Sequence, residues 1–161
     1  MIAKNREIFL LLDSIRSVHN AGSIFRTAET LGVSRIYCCG TTPTPLDRFG
    51  RKRSDFAKVS LGAEDMVAWE HADDAVAVAK KRSKEGFEVI ALEQAAGSVD
   101  YKNVELKSDK FLVVLGNEVE GVSPELMKLT DIVAEIPMRG EKESLNVSVS
   151  AGIFLFRLFD R

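Results

Sequence analysis

Arg26 closes the stretch NAGSIFR (20–26), and its spacing makes it a candidate for chemistry. Placed on a helix, Ile24, Phe25, Ala28 and Leu31 turn inward, while Ser23, Arg26 and Thr30 share the other face at i, i+3 and i+7. A lone arginine there is more often a solvated surface residue. Asn20 and Gly22, close by at the helix start, set this one apart. LGNEVEG (115–121) places the polar Asn117–Glu118 pair just past an apolar run. IPMRGEKESLN (136–146) sets Pro, Gly and several polar groups before the last apolar segment. Each of these two reads equally as a ligand loop or as a plain connection. A fourth stretch, DRFGRKRSDFAK (47–58), packs Arg48, Arg51, Lys52 and Arg53 around Phe49. Bases beside an aromatic suit a polyanionic backbone and a stacked nucleobase, or else a solvated loop.

Other chemistries are disfavoured by what the chain lacks. A dinucleotide site wants Gly-x-Gly after an early strand, and no two of the eleven glycines are spaced by two. GNEVEG (116–121) has the glycine spacing of a phosphate loop, but Val122 follows it and its two glutamates would repel a phosphate. Two histidines, His19 and His71, without Cys-x-x-Cys argue against a catalytic metal. There is no Gly-x-Ser-x-Gly elbow. The net charge of −2 excludes bulk polyanion binding, so any nucleic acid must be held by a local patch.

The elements that must position these clusters follow from periodicity. The 161 residues fit one α/β-sized domain, with no internal repeat and no long linker. EIFLLLD (7–13), RIYCCG (35–40), FEVIALE (87–93), FLVVLG (111–116) and DIVAEIP (131–137) read as buried strands. NAGSIFRTAETLGV (20–33) with Asn20 as N-cap, HADDAVAVAKKRSKEG (71–86) and SPELMKLT (123–130) read as helices. This alternation predicts an α/β fold with a mostly parallel sheet covered on both faces. Cys38 and Cys39 are neighbours on a strand, point to opposite faces and are expected as two buried thiols. The apolar run in MIAKNREIFLLLDS is too short, and too acidic at its end, for a signal peptide, so a cytoplasmic protein is the expectation. SLNVSVSAGIFLF (144–156) fits a strand as Leu145, Val147 and Val149, or a helix as Leu145, Val149, Ile153 and Phe156.

In order, SIRSVHNAGSIFRTAETLGV (14–33), FLVVLGNEVEGVSPEL (111–126) and IPMRGEKESLNVSVSAGI (136–153) resemble the three motifs of the SpoU (TrmH-type) family of tRNA and rRNA ribose 2′-O-methyltransferases, within the SPOUT class. The resemblance spans nearly the whole chain and implies an α/β/α sandwich with a C-terminal trefoil knot. It implies S-adenosylmethionine as cofactor, bound largely by backbone groups at Leu92, Glu93, Gly116, Ile136, Met138 and Leu145. Arg26 matches the catalytic arginine, with Asn20, Glu118, Ser144 and Asn146 at the other polar motif positions. A guanidinium is a poor base because its pKa exceeds about 12, which favours a grip on phosphate and hydroxyl. No metal is required by this chemistry.

The family also implies a homodimer in which the arginine of one protomer faces the cofactor of the other. Motif one begins near residue 14 and eight residues follow motif three, so a single domain without RNA-binding extensions is expected. RNA affinity would then rest on Arg16, Arg48, Arg51, Lys52 and Arg53 and on dimer duplication. Within this reading the last segment is a helix from Val147 onward. Its stripe of Leu145, Val149, Ile153 and Phe156 is expected to face the sheet, with Ser148, Ala151, Gly152 and Leu155 at a close helix contact between protomers. A non-catalytic RNA-binding protein of the same fold, or the silent partner of a heterodimeric methyltransferase, is the alternative.

Overall fold

The computed structural model of the protein describes residues 5–160. Residues 1–4, the start of the N-terminal stretch read above for a signal peptide, and residue 161 lie outside that description. Seven parallel strands form one sheet: β1 (Glu7–Asp13), β2 (Arg35–Cys39), β3 (Trp69–Ala72), β4 (Glu88–Leu92), β5 (Val99–Asp100), β6 (Lys110–Leu115) and β7 (Ile132–Glu135). Their spatial order is β3-β2-β1-β6-β4-β7-β5.

The central strands are apolar throughout because both of their faces are covered. Ile8, Leu10 and Leu12 of β1 enter one core, and Phe9 and Leu11 enter the other. The first core is closed by α1 (Val18–Leu31), α2 (Ser54–Ser60) and α5 (Val147–Phe159) through residues such as Phe25, Phe56 and Phe154. The second is closed by α3 (Ala75–Lys84) and α4 (Pro124–Met127) through Ala79 and Leu126. Cys38 and Cys39 divide between the two cores as free thiols. Burial pushes the thiol of Cys38 up to about 12.

Four local expectations need correction. Helix α1 begins two residues earlier than expected, and Ser17 is its cap, accepting the Asn20 N–H at 3.1 Å. Asn20 is therefore a buried residue of the first turn. The helix expected from His71 is instead the edge strand β3 followed by α3, which is capped by Asp74. A short edge strand with exposed Glu70 and His71 carries no continuous apolar run to reveal it. The second half of the basic stretch forms α2, which packs on Gly22 and on Phe25, whose ring meets Phe56 edge-on at 5.0 Å.

The fourth correction concerns α5, whose two faces are exchanged. Ala151, Phe154, Leu155 and Leu158 are buried, whereas Val149, Ile153 and Phe156 are 49%, 37% and 49% exposed. A helix that is apolar all round does not declare its inner face by period. Close packing against α1 selects the side with Ala151.

Gly116, just beyond β6, sits where the loop through Asn117 and Gly121 closes on itself. A Cβ there would sit 2.3 Å from the Gly121 carbonyl carbon and 2.3 Å from the Val122 nitrogen. Backbone cannot yield as a flexible side chain can, so Gly116→Ala is expected to destabilise the fold by about 2–3 kcal/mol. Urea denaturation of the two proteins checks this, and Gly152→Ala, whose Cβ meets nothing within 4 Å, should show no comparable loss.

Candidate active site

In parallel sheets ligands sit beyond the C-terminal strand ends, where the strand order changes direction. A cleft of about 530 Å³ opens there, past β4, β6 and β7. Leu92 and Glu93 leave β4, Gly116 follows β6, and Ile136 and Met138 follow β7; all five line the cleft, as does Leu145 from the loop before α5. The six residues expected to hold a cofactor are thus together. Leu92, Ile136, Met138 and Leu145 supply apolar surface, and the loop backbones supply donors and acceptors. Such a mixture, at this volume, suits a nucleoside-sized ligand.

The loops around the cleft are held by carboxylate and amide side chains. Glu93 accepts the Val122 N–H at 3.0 Å and the Gln94 N–H at 3.0 Å, clasping β4 to the loop after β6. Within that loop Asn117 accepts the N–H groups of Val119 and Glu120, and its amide donates to the Ser14 carbonyl at 2.7 Å. Asp13, at the end of β1, accepts the Ser123 N–H at 2.9 Å. These braces were not anticipated from the sequence. The position of Asn117, Glu93 and Asp13 at strand ends, where backbone donors go unpaired, was the available signal.

Three of the expected catalytic residues form one hydrogen-bonded junction. The Glu118 carboxylate accepts the N–H of Arg16 at 2.9 Å, that of Ser17 at 3.1 Å and the Asn20 amide at 3.1 Å. Asn146 donates from its own amide to the Asn20 side-chain oxygen at 3.1 Å. The Asn146 oxygen in turn caps α5 by accepting from Ser148 at 2.9 Å. Ser144 is exposed on the cleft wall beside them.

Arg26 stands apart. It is exposed on α1, does not line the cleft of its own chain, and makes no side-chain hydrogen bond or ion pair among the described residues. Thr30 donates to its carbonyl at 3.0 Å. Arg16 is exposed and enters the junction through its backbone. Arg48, Arg51, Lys52 and Arg53 lie on a separate turn, where Asp47, Asp65 and Asp55 pair with Arg51, Lys52 and Arg53 respectively at 2.8–2.9 Å. Among the described residues no group of three His, Cys, Asp or Glu is placed to hold a metal ion.

Partial burial pushes the Glu118 carboxyl up, but the hydrogen bonds from Arg16, Asn20 and Ser17 outweigh it and hold the group below its ordinary value of 4.5. A depressed folded value contributes stability that is present above the unfolded value and is lost as pH falls through the folded one. Glu118→Gln is therefore expected to flatten the acid limb of stability below about pH 4.5, and urea midpoints measured across that limb check it. Equal slopes in the two proteins would contradict the junction.

The model of the SpoU rRNA Methylase family matches residues 7–156. The chain is 31% identical over 153 residues to a tRNA (guanosine(18)-2′-O)-methyltransferase of Aquifex aeolicus, covering 95% of this chain and 69% of that protein. It is 30% identical over 160 residues to the 23S rRNA (guanosine-2′-O-)-methyltransferase RlmB of Coxiella burnetii, covering 98% and 61%. Its fold is similar to the AdoMet-bound rRNA methyltransferase from Sinorhizobium meliloti, with a TM-score of 0.84 at 30% identity, covering 98% of this chain and 57% of that one. The chain thus spans between 57% and 69% of the lengths of these proteins. By the family match and by these likenesses, the chain belongs to the SpoU methylase family.

Proposed function

We propose that this protein is an S-adenosylmethionine-dependent RNA 2′-O-ribose methyltransferase acting on tRNA or rRNA. The observation that carries the proposal is the Glu118–Asn20–Asn146 junction at the rim of a nucleoside-sized cleft in a chain of this family. Bound in the cleft, S-adenosylmethionine supplies an electrophilic methyl group. Leu92, Ile136, Met138 and Leu145, which line the cleft, would hold its apolar parts, and the backbone at Glu93 and Gly116 would hold its polar ones. The junction holds the start of α1, the loop after β6 and the start of α5 in one fixed arrangement. Rigid placement of this kind is worth several orders of magnitude in rate.

Arg26 is proposed to act on the partner protomer's site, gripping phosphate and polarising the 2′-hydroxyl, whose proton would pass to solvent water as the oxygen takes the methyl group and the methyl–sulfur bond breaks to leave a neutral thioether. Its separation from its own cleft supports action across an interface. The exposed Leu145, Val149, Ile153 and Phe156 supply an apolar stripe for a two-fold interface. Ser144 is proposed to position the target nucleotide, and Arg16 and Arg48 to contact RNA phosphates. A C-terminal trefoil knot belongs to the same proposal, and what supports it is the family match together with the likeness to the Sinorhizobium meliloti structure. A cytoplasmic location belongs to the same proposal, since it rests on the RNA substrate.

Incubation with labelled S-adenosylmethionine and unmodified tRNA or rRNA tests the activity, and absence of transfer to either would defeat it. Arg26→Ala is expected to lose at least about 100-fold in turnover while keeping cofactor affinity. Mixing Arg26→Ala with Met138→Arg, which fills the cleft, should restore part of the activity, because a mixed dimer keeps one intact site. No restoration would place Arg26 on its own chain's cleft. Ile153→Glu is expected to yield monomers in sedimentation, and a dimer that survives it would exclude the α5 stripe as the interface.

A further inference from the structure

The turn between β2 and α2 presents an aromatic ring to solvent in a form the catalytic site does not use. Phe49 is 66% exposed, the most exposed aromatic among the described residues. The turn beneath it is closed on itself. The Asp47 N–H donates to the Arg51 carbonyl at 2.8 Å, and the Asp47 carboxylate accepts the N–H groups of Phe49 at 2.8 Å and Arg51 at 3.0 Å. Gly50 supplies the left-handed residue at φ +76°, which the reversal requires. Leu46 and Lys52 close the base of the turn as an antiparallel bridge. A backbone held this way has little conformational freedom to lose when a ligand meets the ring.

The charges around the ring define what it can meet. Arg48 and Arg51 place their guanidinium groups 4.7 and 5.0 Å from the ring centroid. Arg51, Lys52 and Arg53 are each paired with an aspartate. Four bases against three carboxylates leave one net positive charge on these seven side chains, so the turn is a weak phosphate clamp. Its distinguishing feature is an exposed aromatic ring with two guanidinium groups set over it, and both kinds of surface stack on nucleobases.

The position of the turn links it to catalysis. Helix α2 follows the turn directly and packs on Gly22 of α1, one helical turn before Arg26. The ring and the arginine are therefore carried by one rigid helix pair on the same side of the sheet.

We propose that the Asp47-braced turn is an RNA-reading site in which Phe49 stacks on an unpaired nucleobase flanking the nucleotide to be methylated. The choice of ligand rests on the RNA-methyltransferase reading above. The test uses the full chain and two fluorescent probes, a short oligouridylate and an abasic ribose-phosphate oligomer of equal length. Phe49→Ala should bind oligouridylate on the order of tenfold more weakly, with an unchanged salt slope, because a stacking contact releases no counterions. The abasic oligomer should not distinguish wild type from variant. Phe49→Trp should keep the affinity, and its indole emission, corrected for Trp69, should be quenched by oligouridylate. Wild-type affinity in Phe49→Ala, an equal loss for both probes, or dissociation of a dimer on that substitution would overturn the proposal. Methyl transfer by the wild-type protein is scored separately, so failure of the stacking site and failure of the enzyme reading give different results.

Discussion

The carboxylate of Glu118 is the acceptor around which the site is built. Two backbone N–H groups from the entry to α1 and one side-chain amide converge on it. A helix start leaves donors without partners, and an ionised carboxylate is the strongest acceptor a side chain can offer them. Because Glu118 sits on the loop after β6, satisfying those donors also fixes that loop against α1. Asn20 extends the arrangement: with its amide committed to Glu118, its oxygen takes the Asn146 amide. Asn146 then spends its own oxygen on the first turn of α5. Two helix starts and one strand-end loop are thereby held by three side chains.

The parallel sheet is what allows this convergence. Parallel strands direct all their exits to one edge, so segments distant in sequence arrive together there. Three braces consolidate that edge, with Asp13 on Ser123, Glu93 on Val122 and Asn117 on Ser14. Each is a polar side chain at the end of a strand whose interior is wholly apolar. The same side of the sheet carries α1, α2 and α5, and with them Arg26, the aromatic turn and the exposed stripe of α5.

Much of this was legible in the residues. The five long or central strands are apolar on both faces, and their runs stand out from helices bounded by caps and glycines. Residues of all three polar clusters meet in one hydrogen-bonded junction, and all six proposed cofactor positions line one cleft. Three kinds of detail were not legible. The edge strands β3 and β5 lack the double-sided burial that makes a strand conspicuous. The cap of α1 is Ser17 because Asn20 has been drawn into tertiary hydrogen bonds, a competition that local spacing cannot express. The inner face of α5 depends on what packs against it, since Val149 and Ile153 are as apolar as the residues that are buried. In the basic stretch Lys52 pairs with Asp65, thirteen residues away, a partner that local composition does not reveal.

The alternating NVSVS that suggested a strand is the beginning of α5. Its leading Asn146 is polar because it serves a neighbouring helix and its own at once. The measurement that tests the account most directly is mass-spectrometric mapping of ribose methylation in total cellular RNA with the gene present, deleted, and restored. A 2′-O-methylated nucleotide is expected in tRNA or rRNA when the gene is present, absent on deletion, returned by the wild-type chain and not returned by Glu118→Ala. Identical maps with and without the gene, or full return by Glu118→Ala, would contradict it.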